Sequence, residues 1–307
     1  MGCWSSDIDA LTPVERVGDY WFKRDDYFMP FDDIPVNGGK VRQCICLLND
    51  AREHIVENCG SLVATATGMK SPQGIIVSRV ARQLGMESVV FVGNTSLDMI
   101  TANPKKYALM SNILNVGGKI NTGCKIAFDN VLQSFIDRWS ADNKLNPFRI
   151  RFGINMVEYR DAIIGSVARQ VRNLPDDLDY LVVPCGSCIM LSGILTGLEE
   201  YGKRVGRVVG IQIAGYDRRK FVEDAIGHDM KYDFRISTDY RYATPLKKTY
   251  NGIGLDWHYE GKAFDYMERH MADEIRGKNV CFWVVGDSTP VRTKVFGDSI
   301  AQEENTP

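Results

Sequence analysis

The run Asn37-Gly38-Gly39-Lys40-Val41-Arg42-Gln43 leads into Cys44 to Ala51, a segment that reads as a helix. Two glycines let the backbone turn sharply and approach another group closely, and the helix start behind them offers free N–H groups and a positive dipole end. A lysine at that junction is well placed for an anionic ligand. Taken alone the feature is weak, because most lysines are simply solvated surface.

Outward from this run, strand-like and helix-like segments alternate. Ser61 to Thr67, Ser88 to Val92, Tyr180 to Val183, Val208 to Ile213 and Val280 to Val285 are short β-rich runs. Between them, Pro72 to Leu84 places Ile75, Ile76, Val80 and Leu84 at helical spacing, with Pro72 suited to a first turn. Tyr107 to Leu114, Val131 to Trp139 and Asp161 to Asn173 also read as helices, the last ending before Pro175. Such alternation predicts an α/β fold with parallel sheets covered by helices. No repeat, charged block or Pro/Ser-rich linker divides the chain, so two domains would be interleaved rather than strung in a row.

Two further strand-to-helix turns sit where open α/β sheets bind ligands. In Gly68-Met69-Lys70-Ser71-Pro72-Gln73-Gly74, Ser71 can cap a helix or present its hydroxyl to a ligand. In Val183-Pro184-Cys185-Gly186-Ser187-Cys188, a Gly/Ser turn runs into the helix Ile189 to Leu198, a geometry that cradles phosphate with backbone N–H groups. Cys185 and Cys188 have zinc or redox spacing, but no Cys/His pair of matching spacing completes a four-ligand site, so no metal is expected. His258, one of four histidines, reads as a partly exposed structural residue. No Ser/His/Asp order with a nucleophile elbow is visible.

Composition narrows the class. Over 307 residues, 44% hydrophobic and 25% charged content is that of a soluble globular protein. A net charge of −2 gives no electrostatic reason to expect nucleic acid or an anionic membrane as partner. No apolar run approaches the ~20 residues of a membrane helix, and no signal segment is evident at the start. The eight cysteines, several of them in apolar runs (Cys44, Cys46, Cys281), read as reduced core residues of a cytoplasmic protein. Met1-Gly2-Cys3-Trp4-Ser5-Ser6 fits a permissive myristoylation pattern and reads instead as a short disordered start.

The segments together resemble the fold-type II pyridoxal-phosphate (PLP) enzymes, in the branch of 1-aminocyclopropane-1-carboxylate (ACC) deaminase and D-cysteine desulfhydrase, within the tryptophan synthase β-like superfamily. Thr12-Pro13 followed by Trp21-Phe22-Lys23-Arg24-Asp25-Asp26 resembles the branch's opening "TP…W-x-KRDD", and Gly38-Gly39-Lys40-Val41-Arg42 resembles its "GGNK-x-R". Ser71-Pro72-Gln73 lies where the family has Ser-Asn-His/Gln, Gly186-Ser187 opens its phosphate-loop segment "GSGGT", and Leu255 to Ala263 resembles "LDPVYxGKA". The resemblance runs from about Thr12 to Thr289. It implies two three-layer α/β domains with PLP in the cleft between them: residues 59–156 as a smaller inserted domain, and 1–58 with 157–307 as the larger. It also implies a homodimer.

By the same resemblance, Lys40 forms the Schiff base with PLP and acts as base at Cα, and Ser71 meets the substrate carboxylate. Gln73 contacts the cofactor, and the turn Gly186, Ser187, Cys188, Ile189 and Met190 holds its phosphate. Tyr250 and, more loosely, Tyr242 are the active-site tyrosines. Asn251 stands where the family has a glutamate against the pyridine nitrogen, with Ser288 or Thr289 as alternative neutral partners. The family's asparagine contact is lost to Pro72, and the phosphate loop has lost two glycines and a threonine. Three readings of function follow: a PLP lyase or deaminase of a small amino acid or amine; a PLP decarboxylase or eliminase acting on an amino acid carried by a larger molecule such as a nucleotide or DNA base; and a non-catalytic binding protein on a degenerate PLP fold.

Overall fold

The apolar runs become buried strands. The structure, a computed structural model, describes residues 7–213 and 217–297; the Met1–Ser6 pattern lies outside the described residues. The strands are β1 (Val14–Val17), β2 (Tyr20–Arg24), β3 (Leu62–Ala66), β4 (Glu87–Phe91), β5 (Lys119–Asn121), β6 (Phe148–Ile150), β7 (Tyr180–Cys185), β8 (Arg207–Ile213), β9 (Asp233–Ser237), β10 (Lys248–Tyr250), β11 (Ile253–Leu255) and β12 (Val280–Val284).

They form two main sheets. One has the order β1-β2-β12-β7-β8-β9, parallel except for the β1–β2 hairpin at its edge. The other, β5-β4-β3-β6, is wholly parallel. β3 and β12 are buried along their whole length, as strands covered on both faces must be. Thus residues 62–150 build one sheet, while the other draws strands from both flanks of that segment.

Helices fill the faces. Gly39–Asp50 packs against Gln73–Gln83 and against Arg160–Ala168. One core cluster therefore runs from Val41, Cys44 and Ile45 to Val63, Ile76 and Val90 beneath the smaller sheet. The helix expected over Asp161 to Asn173 is tightened after Ala168 into a 3-10 turn, Arg169–Asn173. The antiparallel pair β10–β11 stands apart from both sheets. None of the described helices is long and apolar enough to cross a membrane.

This topology decides where a site can form. Gly68–Gln73 follows β3, Phe152–Gly153 follows β6, Gly186–Cys188 follows β7 and Val285–Ser288 follows β12. All are carboxyl ends of parallel strands, the position at which open α/β sheets bind ligands.

Candidate active site

Lys40 is set at the mouth of the larger sheet by glycines. Gly38 has a φ of +90°, and a side chain there would collide with the Val285 carbonyl; Gly39 donates its N–H to that same carbonyl at 2.8 Å. The first turn of Gly39–Asp50 is thus pinned to the end of β12.

The KRDD motif supports the same junction from below. Asp25 is fully buried and accepts from Thr12 Oγ1 (2.8 Å), Trp283 Nε1 (2.9 Å) and Arg42 NH1 (3.4 Å). Arg42 lies over the Phe28 ring at 4.2 Å. Lys23 is buried as well, with Nζ donating to Thr12 O and Asn173 Oδ1. The charged residues of the motif therefore tie the β1–β2 edge, β12 and the Lys40 helix together. Breaking such buried pairs costs several kcal/mol, of the order of 3–5.

Around Lys40 lies a cleft of two lobes sharing Lys40, Ser71, Gly186, Ser187 and Tyr259. The first, about 830 Å³, is closed by Asn37, Asp256, Glu260, Ser288 and Arg292, with Val36, Pro72, Ile76 and Val291 as an apolar wall. The second, about 980 Å³, is bounded by Phe152, Gln212, Ile213, Arg218 and Tyr242. Burial lowers the Lys40 amine to about 8, against a smaller opposing effect of Cys44, so near neutral pH an appreciable share of it is the free nucleophile.

The turn after β7 also faces the cleft. Cys188 takes the left-handed conformation (φ 66°), and the helix Ile189–Glu200 behind it has no side-chain cap, leaving its first N–H groups open to an anion. Gly186 abuts the Tyr259 ring, where a Cβ would meet Cε1 at 2.7 Å. Met190 turns its sulfur towards the Lys40 helix, accepting from Gln43 Nε2 at 3.0 Å. Cys185 and Cys188 are buried free thiols, and burial raises the Cys185 thiol further. No described group of His, Cys, Asp and Glu could hold a metal ion.

Several expected residues are elsewhere. Tyr250 and Asn251 form the β10–β11 hairpin, not the cleft. Tyr250 packs on Tyr20, Phe22 and Phe264 and its hydroxyl accepts from Asp19 N, while Asn251 is exposed at the tip with φ 45°. Tyr259 and Glu260 line the cleft instead. Glu260 is fully buried; Oε1 accepts from Gly286 N at 3.1 Å, and Oε2 has no partner among the described residues. Burial, reinforced by Asp256, holds its carboxyl well above the usual range. The sequence signal was present: Glu260 fills the variable position of the "LDPVYxGKA" segment.

Gln73 lines the second lobe, with its amide engaged in the fold. Its Nε2 donates to Thr65 Oγ1 and Arg151 O, and its Oε1 accepts from Gly153 N. Ser288 lines the cleft with its hydroxyl given to Asp256, whereas Thr289 does not reach it. Tyr242 lines the second lobe against Tyr259 and His258, its carbonyl held by Lys262. His258 is 4% exposed, not partly open, and burial beside Arg292 drives it down to about 4.

An amine on a turn, uncapped helix N–H groups and a buried carboxyl with a free oxygen answer, respectively, to an aldehyde, a phosphate and a protonated heteroaromatic nitrogen. Those are the three functional ends of PLP, and the donor set fits it. The pyridoxal-phosphate dependent enzyme family matches residues 8–277, and the chain belongs to that family. Its cofactor is PLP.

Among individual proteins, an O-seryl-dTMP PLP-dependent decarboxylase of Salmonella phage ViI is 22% identical, the alignment covering 92% of this chain and 83% of that one. The crystal structure of an ACC deaminase homologue superposes with a TM-score of 0.72 at 18% identity, covering 90% of this chain and 89% of that one. Threonine deaminase isoform 2 of Solanum lycopersicum gives 0.61 at 12% identity, covering 91% and 84%.

Proposed function

We propose that this chain is a PLP-dependent lyase or deaminase that works at the α-carbon of an amino acid or amine, with Lys40 holding the cofactor covalently. The observation that carries this reading is the meeting of Lys40, the uncapped helix start at Ile189 and the orphan carboxyl of Glu260 around one cleft. When bound, PLP supplies a carbonyl for the substrate's amino group and an electron-withdrawing ring for the electrons released beside it.

The chain's own residues do the rest. Lys40 Nζ would remove or return a proton at the α-carbon. Glu260 Oε2 would hold the proton at the ring nitrogen, since Glu260 lines the cleft and Asn251 does not. Gly186 to Met190 grip the phosphate through N–H groups. Tyr259 and Tyr242 wall the cleft beside Lys40 and limit water. The reading includes a smaller domain of residues 59–156 within 1–58 and 157–307, a homodimer, and a cytoplasmic setting consistent with seven free cysteines among the described residues.

A second reading has support of its own: decarboxylation of an amino acid carried on a nucleotide. The phage relative is named for such a substrate. The second lobe, with Phe152, Arg218 and Tyr242 on its walls, is lined by aromatic rings and a cationic side chain suited to a nucleotide. The purified protein should carry the visible absorbance band of lysine-bound PLP, and that band should shift on adding a substrate amine. A colourless protein that takes up no added PLP overturns both readings. Release of ammonia or of carbon dioxide from serine and from a seryl nucleotide separates them.

A further inference from the structure

In the first lobe, the turn 71–73 faces the cleft with almost no donor left to give. Pro72 has no N–H. Ser71 N donates to Gly68 O at 2.9 Å, and Gln73 N is turned to Ser71 Oγ at 3.3 Å. The Gln73 amide is engaged with Thr65 Oγ1 at 2.9 Å and Arg151 O at 2.8 Å. Only the Ser71 hydroxyl proton is free to meet an anion.

Directly beside this turn stands a cation whose charge is not fully answered. Arg292 lines the same lobe with its side chain 8% exposed. Nε donates to Ser288 Oγ at 2.9 Å and NH1 donates to the Lys70 carbonyl, which fixes the guanidinium against the residue preceding Ser71. NH2 is buried without a partner among the described residues.

Among the described residues the carboxylate within 4 Å of it, Asp256, lies 3.8 Å from Nε, beyond hydrogen-bond reach. It is already served by closer donors: His258 N at 2.8 Å and Tyr259 N at 3.2 Å on one oxygen, Ser288 N at 3.2 Å and the Ser288 hydroxyl on the other. A buried N–H left unpaired costs about 1–3 kcal/mol, so an acceptor arriving with a ligand would find it ready. The apolar wall of Pro72, Ile76 and Val291 strengthens any charge pairing formed there.

We propose that Arg292, together with the Ser71 hydroxyl, is the receptor for the substrate's α-carboxylate, in place of the donors the 71–73 turn has lost. This rests on the reading of the chain as a PLP enzyme acting on amino acids. A phosphate is the other anion the guanidinium suits; the uncapped helix start at Ile189 serves the cofactor's phosphate, which leaves Arg292 for the substrate.

The test uses the PLP-loaded protein and two probes, L-serine and L-serinamide, which differ in the anionic carboxyl. Dissociation constants come from the initial change of the cofactor's absorbance. The wild-type protein should favour serine, and in Arg292→Gln the serine-to-serinamide ratio should collapse by roughly 10- to 100-fold, the worth of a charge-assisted hydrogen bond. Serinamide affinity and PLP affinity should stay within about twofold, and Arg292→Lys should restore part of the ratio.

A ratio unchanged in Arg292→Gln overturns the proposal. So does a wild-type ratio with no preference for the carboxylate, which needs no variant to fold. An unchanged ratio with PLP affinity lowered tenfold or more assigns Arg292 to the cofactor's phosphate, and the proposal fails. Failure of wild-type protein to bind PLP at all marks the loss of the underlying reading, with the receptor lost along with it.

Discussion

Tyr250-Asn251 and Tyr259-Glu260 are two tyrosine–polar pairs nine positions apart, and the fold treats them in opposite ways. The first sits on a two-stranded hairpin outside both sheets, its tyrosine in an aromatic cluster and its asparagine in solvent. The second leads into the helix Glu260–His270 and is pinned from two sides. Asp256 takes the Tyr259 N–H, and Gly286, just past the end of β12, donates to Glu260. A place in the cleft is thus conferred by attachment to the strand ends beside Lys40, and residue type counts only once that attachment is made.

The contrast can be broken most forcefully at its centre. Lys40→Ala should remove the covalent cofactor link and lower turnover by roughly 10²–10⁴-fold, as loss of a positioned base does; full activity in that variant places the chemistry elsewhere. The same amine sets a pH profile. Its value is lowered to about 8, so the neutral, reactive form dominates above that pH and is lost below it. The initial rate at which cofactor-free protein takes up PLP should therefore fall about tenfold per pH unit below about 8 and flatten above it. A rate still rising at pH 10 contradicts the burial of this lysine.

Glu260→Gln comes next. Replacing this buried carboxyl by an amide should cost roughly 10²-fold in turnover and change the cofactor's spectrum. Equal spectra and rates in the two proteins would remove Glu260 from the ring nitrogen. At Gly186, a β-branched side chain meets the Tyr259 ring, so Gly186→Val should weaken PLP binding by roughly tenfold, in line with overpacking costs of about 1–3 kcal/mol; equilibrium titration of the folded variant decides it. The smallest effect is expected on the other side of the comparison. Asn251→Glu should leave spectrum and rate within about twofold, as an exposed substitution does, and a large loss there would restore Asn251 to the site.

Much of this was legible in the sequence. The alternation of β-rich and helical runs, the two glycines before Lys40 and the strand–turn–helix at Gly186 all follow from local chemistry, and the structure places them as local chemistry demands. The β1–β2 and β10–β11 pairs were not legible, because short, half-exposed strands lack an apolar signature. Tyr242 lies in the cleft as expected, while the β10–β11 hairpin carries Tyr250 and Asn251 out of it, a turn of the chain that spacing alone does not announce. Gln73 lines the second lobe, but the partners that engage its amide, Arg151 and Gly153, lie some 80 positions away, and nothing local announces them. Arg292 escaped notice for the same reason, as its neighbours Lys70 and Asp256 come from distant segments.

If the proposed function holds, Lys40, at the glycine-pinned turn, is the residue that carries PLP. Borohydride reduction of the loaded protein, followed by proteolysis and peptide mass spectrometry, addresses it directly. The account predicts one pyridoxyl group per chain, on the peptide containing Lys40. Label on Lys70, Lys262 or any other lysine, or bound PLP that reduction fails to fix, would contradict it.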